Sequence, residues 1–295
     1  MLSIIAGLAL SAQMSMHKPP VPMPSTQEVK NFNTRKPATS LFSKKLSRKR
    51  TGLSQVAVSN ISVNAGDSAV TQNVISAAVD IINQTTLPIL KQYVNAVPSQ
   101  ATSIVLFSSS KSYGDALLEA GAPEDSIPAY TEKTGGITVG SDIWIPLYNV
   151  IDLSESANVL THELTHVTFN QMGLGDKLPT WINEGAAWRD GLLAEQKFDS
   201  VETMNEMLSQ QMSVLQAASS GQMLPLTASE QDIINANYNV EYEDFMAVEA
   251  LVKQHGANQF KAFLAAANQK DLDQAFQATY NMNIEDYQTS FIQSF

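Results

Sequence analysis

The chain has 295 residues, a net charge of −11 and 44% hydrophobic residues, enough to bury one large core or two smaller ones. It contains no cysteine, which excludes disulfides, thiolate metal ligands and thiol catalysis. Residues 1–50 carry nine Lys/Arg against the single Glu28, leaving nine Lys/Arg and 28 Asp/Glu for the rest, an acidic body that argues against nucleic acid as a partner.

The chain opens with MLSIIAGLALSAQ, a short apolar run ending in small residues. Residues 1–12 read as a signal-like segment, which places the protein among exported ones, periplasmic or secreted, although no Lys or Arg precedes the run. Residues 13–52 are basic and rich in Pro and Ser, the composition of a disordered linker or pro-segment. Within them KKLSRKR (44–50) reads as a solvated processing site or a contact for anionic surfaces. No apolar run approaches the ~18 residues of a membrane-spanning helix.

The folded domain is expected over 53–295. Apolar residues at helical spacing predict a helix over 71–94, interrupted near Pro88. SIVLFS (103–108) predicts a strand, and YGDALLEAGAP (113–123) a short helix stopped by Gly and Pro. GGITVGSDIWIPL (135–147) predicts two strands, ITV and DIWIPL, around a Gly-Ser turn. From 152 onward the chain reads as helical. The order predicts an α+β fold, a small mixed sheet with an edge strand followed by a mainly α-helical part.

The first of these helices carries LTHELTHVTF (160–169). Asp152 and Glu155 form a capping pattern at its start, and Ala157, Leu160, Leu164 and Val167 share one stripe that can face the core. His162 and His166 lie one turn apart on a different face, a spacing at which two imidazoles can reach one ion at about 2.0–2.1 Å. Glu163 cannot join them as a ligand, but it can act as general base on an attacking water. Zinc needs a further protein ligand. His17 lies in the tail and His255 precedes Gly256 at a helix end, so a carboxylate is sought. LPTWINEGAAW (178–188) supplies Glu184 near the start of a second helix, after a loop with two glycines that turns the chain back. Its neighbours Trp181, Ala186, Ala187 and Trp188 form an apolar setting that penalises an unpaired charge. Downstream, VETMNEMLSQQMSVLQ (201–216) repeats Met and Leu at helical spacing, which fits either a packing helix or a flexible apolar lid.

HELTH followed by WINEGAAW resembles the gluzincin metallopeptidases, the thermolysin-like superfamily, and within it the small bacterial peptidase MA-like group. GQMLPL (221–226) and YEDFMAVEALVKQHG (242–256) are similar to that group's connecting segment and following helix, and the resemblance covers roughly residues 100–290. It implies a zincin-like fold, Zn2+ held by His162, His166 and Glu184, Glu163 as the base, and a peptide or protein substrate. It also implies an oxyanion donor on a later helix, for which Tyr242 is the first candidate and Tyr238 the second. Gluzincins place a substrate-holding edge strand where 137–147 falls. The G-x-M-E-N glutamate of the aminopeptidases has no counterpart in GGITVGSDI, which favours an endopeptidase. The group often has an acidic residue where Trp188 stands, so support for a ligand histidine must come from elsewhere, with Asp190 as one substitute. Two other readings stay open: a catalytically silent zinc-binding module of zincin fold, and an interaction protein whose basic tail carries the function.

Overall fold

The computed structural model describes residues 54–150 and 152–295. The signal-like segment, the basic linker with KKLSRKR, and His17 lie outside that range. The described residues belong to one compact unit.

Five strands form a mixed sheet: β1 (Gln55–Val58), β2 (Ile61–Ala65), β3 (Thr102–Phe107), β4 (Ile137–Val139) and β5 (Asp142–Pro146). The order is β1-β2-β3-β5-β4. The β1/β2 and β4/β5 pairs are antiparallel, and the two central pairs are parallel. The expected runs ITV and DIWIPL are therefore β4 and β5, and of the two only β4 is an edge.

Alternation along the central strands sorts the core into two sides. Ile104, Leu106, Ile143 and Ile145 join the main core, whereas Phe107 and Trp144 point the other way. There they meet Tyr113, Ala116 and Leu117 of α3 (Ser110–Ala120), with α4 (Ile127–Lys133) following. The main core is completed by α1 (Gln72–Ile81), α2 (Leu87–Tyr93) and the helices after residue 152. The interruption expected near Pro88 takes the form of a π-helical turn, Ile82–Thr86, that leads into α2. A proline has no N–H to give to the preceding turn, and a wider turn absorbs the loss.

The α-helical part comprises α5 (Leu153–Gln171), α6 (Thr180–Glu195), α7 (Ser200–Ser219), α8 (Glu230–Asn235), α9 (Val240–His255), α10 (Ala257–Gln269), α11 (Leu272–Tyr280) and α12 (Ile284–Ile292). Helix α6 packs between α5 and α9. Its approach to α9 depends on Gly185, where a Cβ would lie 2.3 Å from the Asp244 carbonyl oxygen. Met204, Leu208, Met212 and Leu215 of α7 do not pack on the body. They are exposed, and α7 is seated through Thr203, Val214 and Ala217. No helix among the described residues is long and apolar enough to cross a membrane.

The loop after β2 is tied to the loop after β3 by one carboxylate. Asp67 accepts from the Ala69 amide at 3.0 Å, the Ser108 amide and hydroxyl at 2.8 Å each, and the Ser112 hydroxyl at 2.6 Å. Partial burial opposes ionisation, but these donors outweigh it and hold Asp67 down at about 2. Asp67→Asn is expected to lower unfolding free energy by about 0.5–1 kcal/mol at neutral pH, a small figure because the carboxylate is largely open to solvent. Because the folded-state value is depressed, the contribution is complete above about pH 4 and disappears as pH falls through about 2. Urea midpoints of wild type and variant should therefore draw together over that interval; a gap as large at pH 2 as at neutral pH would refute the assignment.

Candidate metal centre

Helix α5 is set by its cap. The Asp152 carboxylate accepts from the amides of Ser154 at 2.8 Å and Glu155 at 3.0 Å, satisfying two free N–H groups of the first turn. Ala157, Leu160, Leu164 and Val167 are all buried, as their spacing predicts. With that stripe fixed against the core, His162 and His166 face a cleft of about 760 Å³. Their rings meet edge to face with centroids 4.7 Å apart.

The loop after α5 returns the chain so that the second turn of α6 crosses this face. The Glu184 Oε2 atom lies 3.6 Å from His162 Nε2 and 3.4 Å from His166 Nε2, and the two Nε2 atoms are 3.0 Å apart. Three donors that share one ion tetrahedrally at about 2.0–2.1 Å stand roughly 3.3 Å from one another. The observed triangle therefore fits a single ion with one coordination position left open, and this is the one His/Asp/Glu group with such geometry among the described residues. Burial opposes a charge on His166, but the neighbouring Glu184 carboxylate outweighs it and raises the imidazole to about 9. Burial likewise opposes ionisation of Glu184, and the two imidazoles reverse that, holding it well below the usual carboxylate range. The pocket is thus organised to bind positive charge.

Support for the ligands comes from a residue the sequence reading did not single out. Asn183 Oδ1 lies 2.9 Å from His166 Nδ1, while its Nδ2 donates to the Gly175 carbonyl at 3.4 Å. That second bond orients the amide with its oxygen toward Nδ1, so Nδ1 is the donor, and a metal that displaces the Nε2 proton meets the Nε2 lone pair. Asp190 does not take this part. It is buried, and burial, only partly offset by Arg189 and Thr165, pushes it up to about 7. Its carboxylate accepts from the Thr165 hydroxyl at 3.3 Å, so it braces α5 beside His166 rather than an imidazole. Trp188 lays its ring edge-on to His162 at 6.1 Å and donates its indole N–H to Glu241 Oε2 at 2.9 Å. A carboxylate from α9 thereby lines the cleft.

Glu163 is only 7% exposed and also lines the cleft. The Thr138 hydroxyl of β4 donates to its Oε2 at 2.6 Å, and Gly136 leaves room for it, since a Cβ there would lie 2.9 Å from Glu163 Oε1. The Gly-Gly pair before the edge strand was the available signal for this contact. The structure therefore brings together His162, His166, Glu184 and Glu163. It does not bring the two tyrosines to them. Tyr242 is buried, with its hydroxyl donating to the Met207 carbonyl at 2.9 Å. The Tyr238 hydroxyl accepts from the Leu224 amide at 2.8 Å and donates to Glu243. The tyrosine in the described cleft wall is Tyr130, on α4. His255 packs against the Tyr280 ring at 5.1 Å, remote from the cleft lining.

The chain matches no protein-family model, and no curated protein matches its sequence. The reading of the centre therefore rests on its geometry.

Elemental analysis of the purified protein is expected to find about one metal ion per chain, absent or strongly reduced in Glu184→Ala. Asn183→Ala should weaken affinity by about 10–100-fold without abolishing binding, the usual effect of removing an orienting partner. Full metal retention by Glu184→Ala would remove that residue from the ligand set.

Proposed function

We propose that the protein is a zinc-dependent metallopeptidase of gluzincin type, an endopeptidase, with His162, His166 and Glu184 as the metal ligands. The observation that carries this reading is the three-donor triangle with one open side and Glu163 lining the same cleft. Two imidazoles and a carboxylate are the donor set of zinc hydrolases, although they also suit ferrous iron, and the elemental analysis distinguishes the two. Zinc bound there supplies Lewis-acid polarisation of a carbonyl and acidifies water.

The chain's own residues do the rest. Glu163, oriented by the Thr138 hydroxyl, accepts a proton from the attacking water and returns it to the leaving amine. Strand β4 pairs with β5 on one side, and its residues Ile137 and Thr138 line the cleft, so an extended peptide can add along its other edge. No Lys or Arg lines the cleft among the described residues, while Glu155, Glu195, Glu206 and Glu241 do. Peptides carrying Lys or Arg are the substrates to try first, and nucleic acid is disfavoured.

The test is a peptide-library assay on the metal-loaded full chain. Glu163→Gln should keep its metal and lose roughly 10²–10⁴ in kcat/KM, the range for removing a general base. Gly136→Ala should also keep its metal and lose activity, because the added methyl displaces Glu163. Tyr242→Phe should stay within about threefold of wild type and be destabilised by about 1 kcal/mol, the worth of one hydrogen bond. The second reading, a silent zinc-binding module, gains from the absence of both tyrosines from the cleft. A wild type that carries stoichiometric zinc, binds library peptides and cleaves none would establish it instead.

A further inference from the structure

Helix α7 turns its large apolar side chains outward. Val201 is 70% exposed, Met204 51%, Leu208 52%, Met212 64% and Leu215 38%. These are five of the ten exposed large hydrophobic residues among those described, gathered on one helix, which makes a patch rather than the scatter normal for a surface.

Their spacing has a symmetry. Relative to Leu208 they fall at −7, −4, 0, +4 and +7, and at 3.6 residues per turn these positions share one face. The pattern reads the same in both directions. Laid antiparallel on a copy of itself about a two-fold axis through Leu208, Val201 meets Leu215, Met204 meets Met212, and Leu208 meets Leu208. A reciprocal list of this kind is what an isologous interface requires.

Charge points to the same occupant. The body outside residues 1–50 holds 28 Asp/Glu against nine Lys/Arg, so two copies repel over most of their surface. Yet no residue from Met207 to Ser229 is charged. The two glutamates of α7, Glu202 and Glu206, lie in its N-terminal half, and antiparallel pairing sets each against the uncharged half of the other copy. The exposed residues flanking the stripe include Asn205, Ser209, Gln211 and Gln216, a neutral polar rim. We infer that the protein associates with a second copy of itself through an antiparallel, two-fold α7–α7 contact centred on Leu208. Because Glu206 lines the cleft and the Met207 carbonyl holds Tyr242, this contact also braces one wall of the candidate metal centre. The inference does not depend on the peptidase reading.

The experiment is light scattering on the full chain over a concentration series, followed by cysteine pairing. Wild type is expected at twice the 32.1 kDa chain mass. Leu208→Glu places two like charges together on the axis and should halve that mass, with an unchanged circular-dichroism spectrum because the position is already half exposed. The chain has no cysteine, so introduced ones report alone. On oxidation, Leu208→Cys should give a covalent dimer and Val201→Cys should not, whereas a mixture of Val201→Cys and Leu215→Cys chains should cross-link to each other. A monomeric wild type at every concentration, a dimer indifferent to Leu208→Glu, or equal cross-linking of Val201→Cys and Leu208→Cys would each overturn the proposal. A monomer whose stripe binds no hydrophobic dye would mean that another segment covers the face, and would overturn it as well.

Discussion

The organisation of the helical part follows from one constraint: a glutamate on one helix must stand against two imidazoles on another, partly out of water. An isolated carboxylate at that depth costs several kcal/mol, and the penalty is removed only where positive charge or hydrogen-bond donors meet it. Glu184 meets both imidazoles within 3.6 Å. Helices α5 and α6 must therefore hold a fixed rotation and separation. The buried stripe of α5 fixes the first helix, and Trp181, Ile182, Ala186 and Ala187 fix the second.

The same constraint explains why α6 is clamped from both sides. A helix whose polar residue has to aim at a point cannot slide, and Gly185 lets the α9 backbone press against it where any side chain would hold it away. Asn183 then uses the position just before Glu184 to reach back to His166, so one turn of α6 supplies both a candidate metal donor and the hydrogen bond that orients another. On the far side of the cleft, Thr138 and Gly136 do the corresponding task for Glu163. One strand and one helix thus each contribute a side chain that sets the direction of a residue of the candidate centre.

Much of this was legible in the sequence because it is local. The Asp152 cap, the α5 stripe, the histidine pair and the strands ITV and DIWIP depend on residues within a few positions of one another, and their periodicity or turn chemistry is visible in a short window. Glu184 was legible through elimination, since no cysteine or nearby histidine competed. What was not legible depends on which way an element faces. Tyr242 lies on the expected helix, α9, yet its rotation there directs the hydroxyl to Met207 instead of the cleft. The β1–β2 hairpin is not among the expected strands, although ISVNA in β2 alternates apolar and polar residues as a half-buried strand does. The α7 stripe has clear helical spacing, but spacing alone cannot say whether the stripe faces the body or the solvent.

Charge distribution links these parts. With a divalent cation among His162, His166 and Glu184, the ligand carboxylate and Glu163 together balance its charge, so the inner site is close to neutral. Glu155, Glu195, Glu206 and Glu241 make the surrounding cleft acidic, with burial raising the last three above their ordinary values. In a cleft with low-dielectric walls such a field reaches further than on an open surface, where salt screens it within about a nanometre. It favours the approach of cationic segments and opposes polyanions before any specific contact forms. The acidic body that opposes the approach of its own copies over most of its area and the acidic cleft that favours positive charge are therefore one electrostatic design, and the uncharged run from Met207 to Ser229, which begins in α7, is where that design is interrupted.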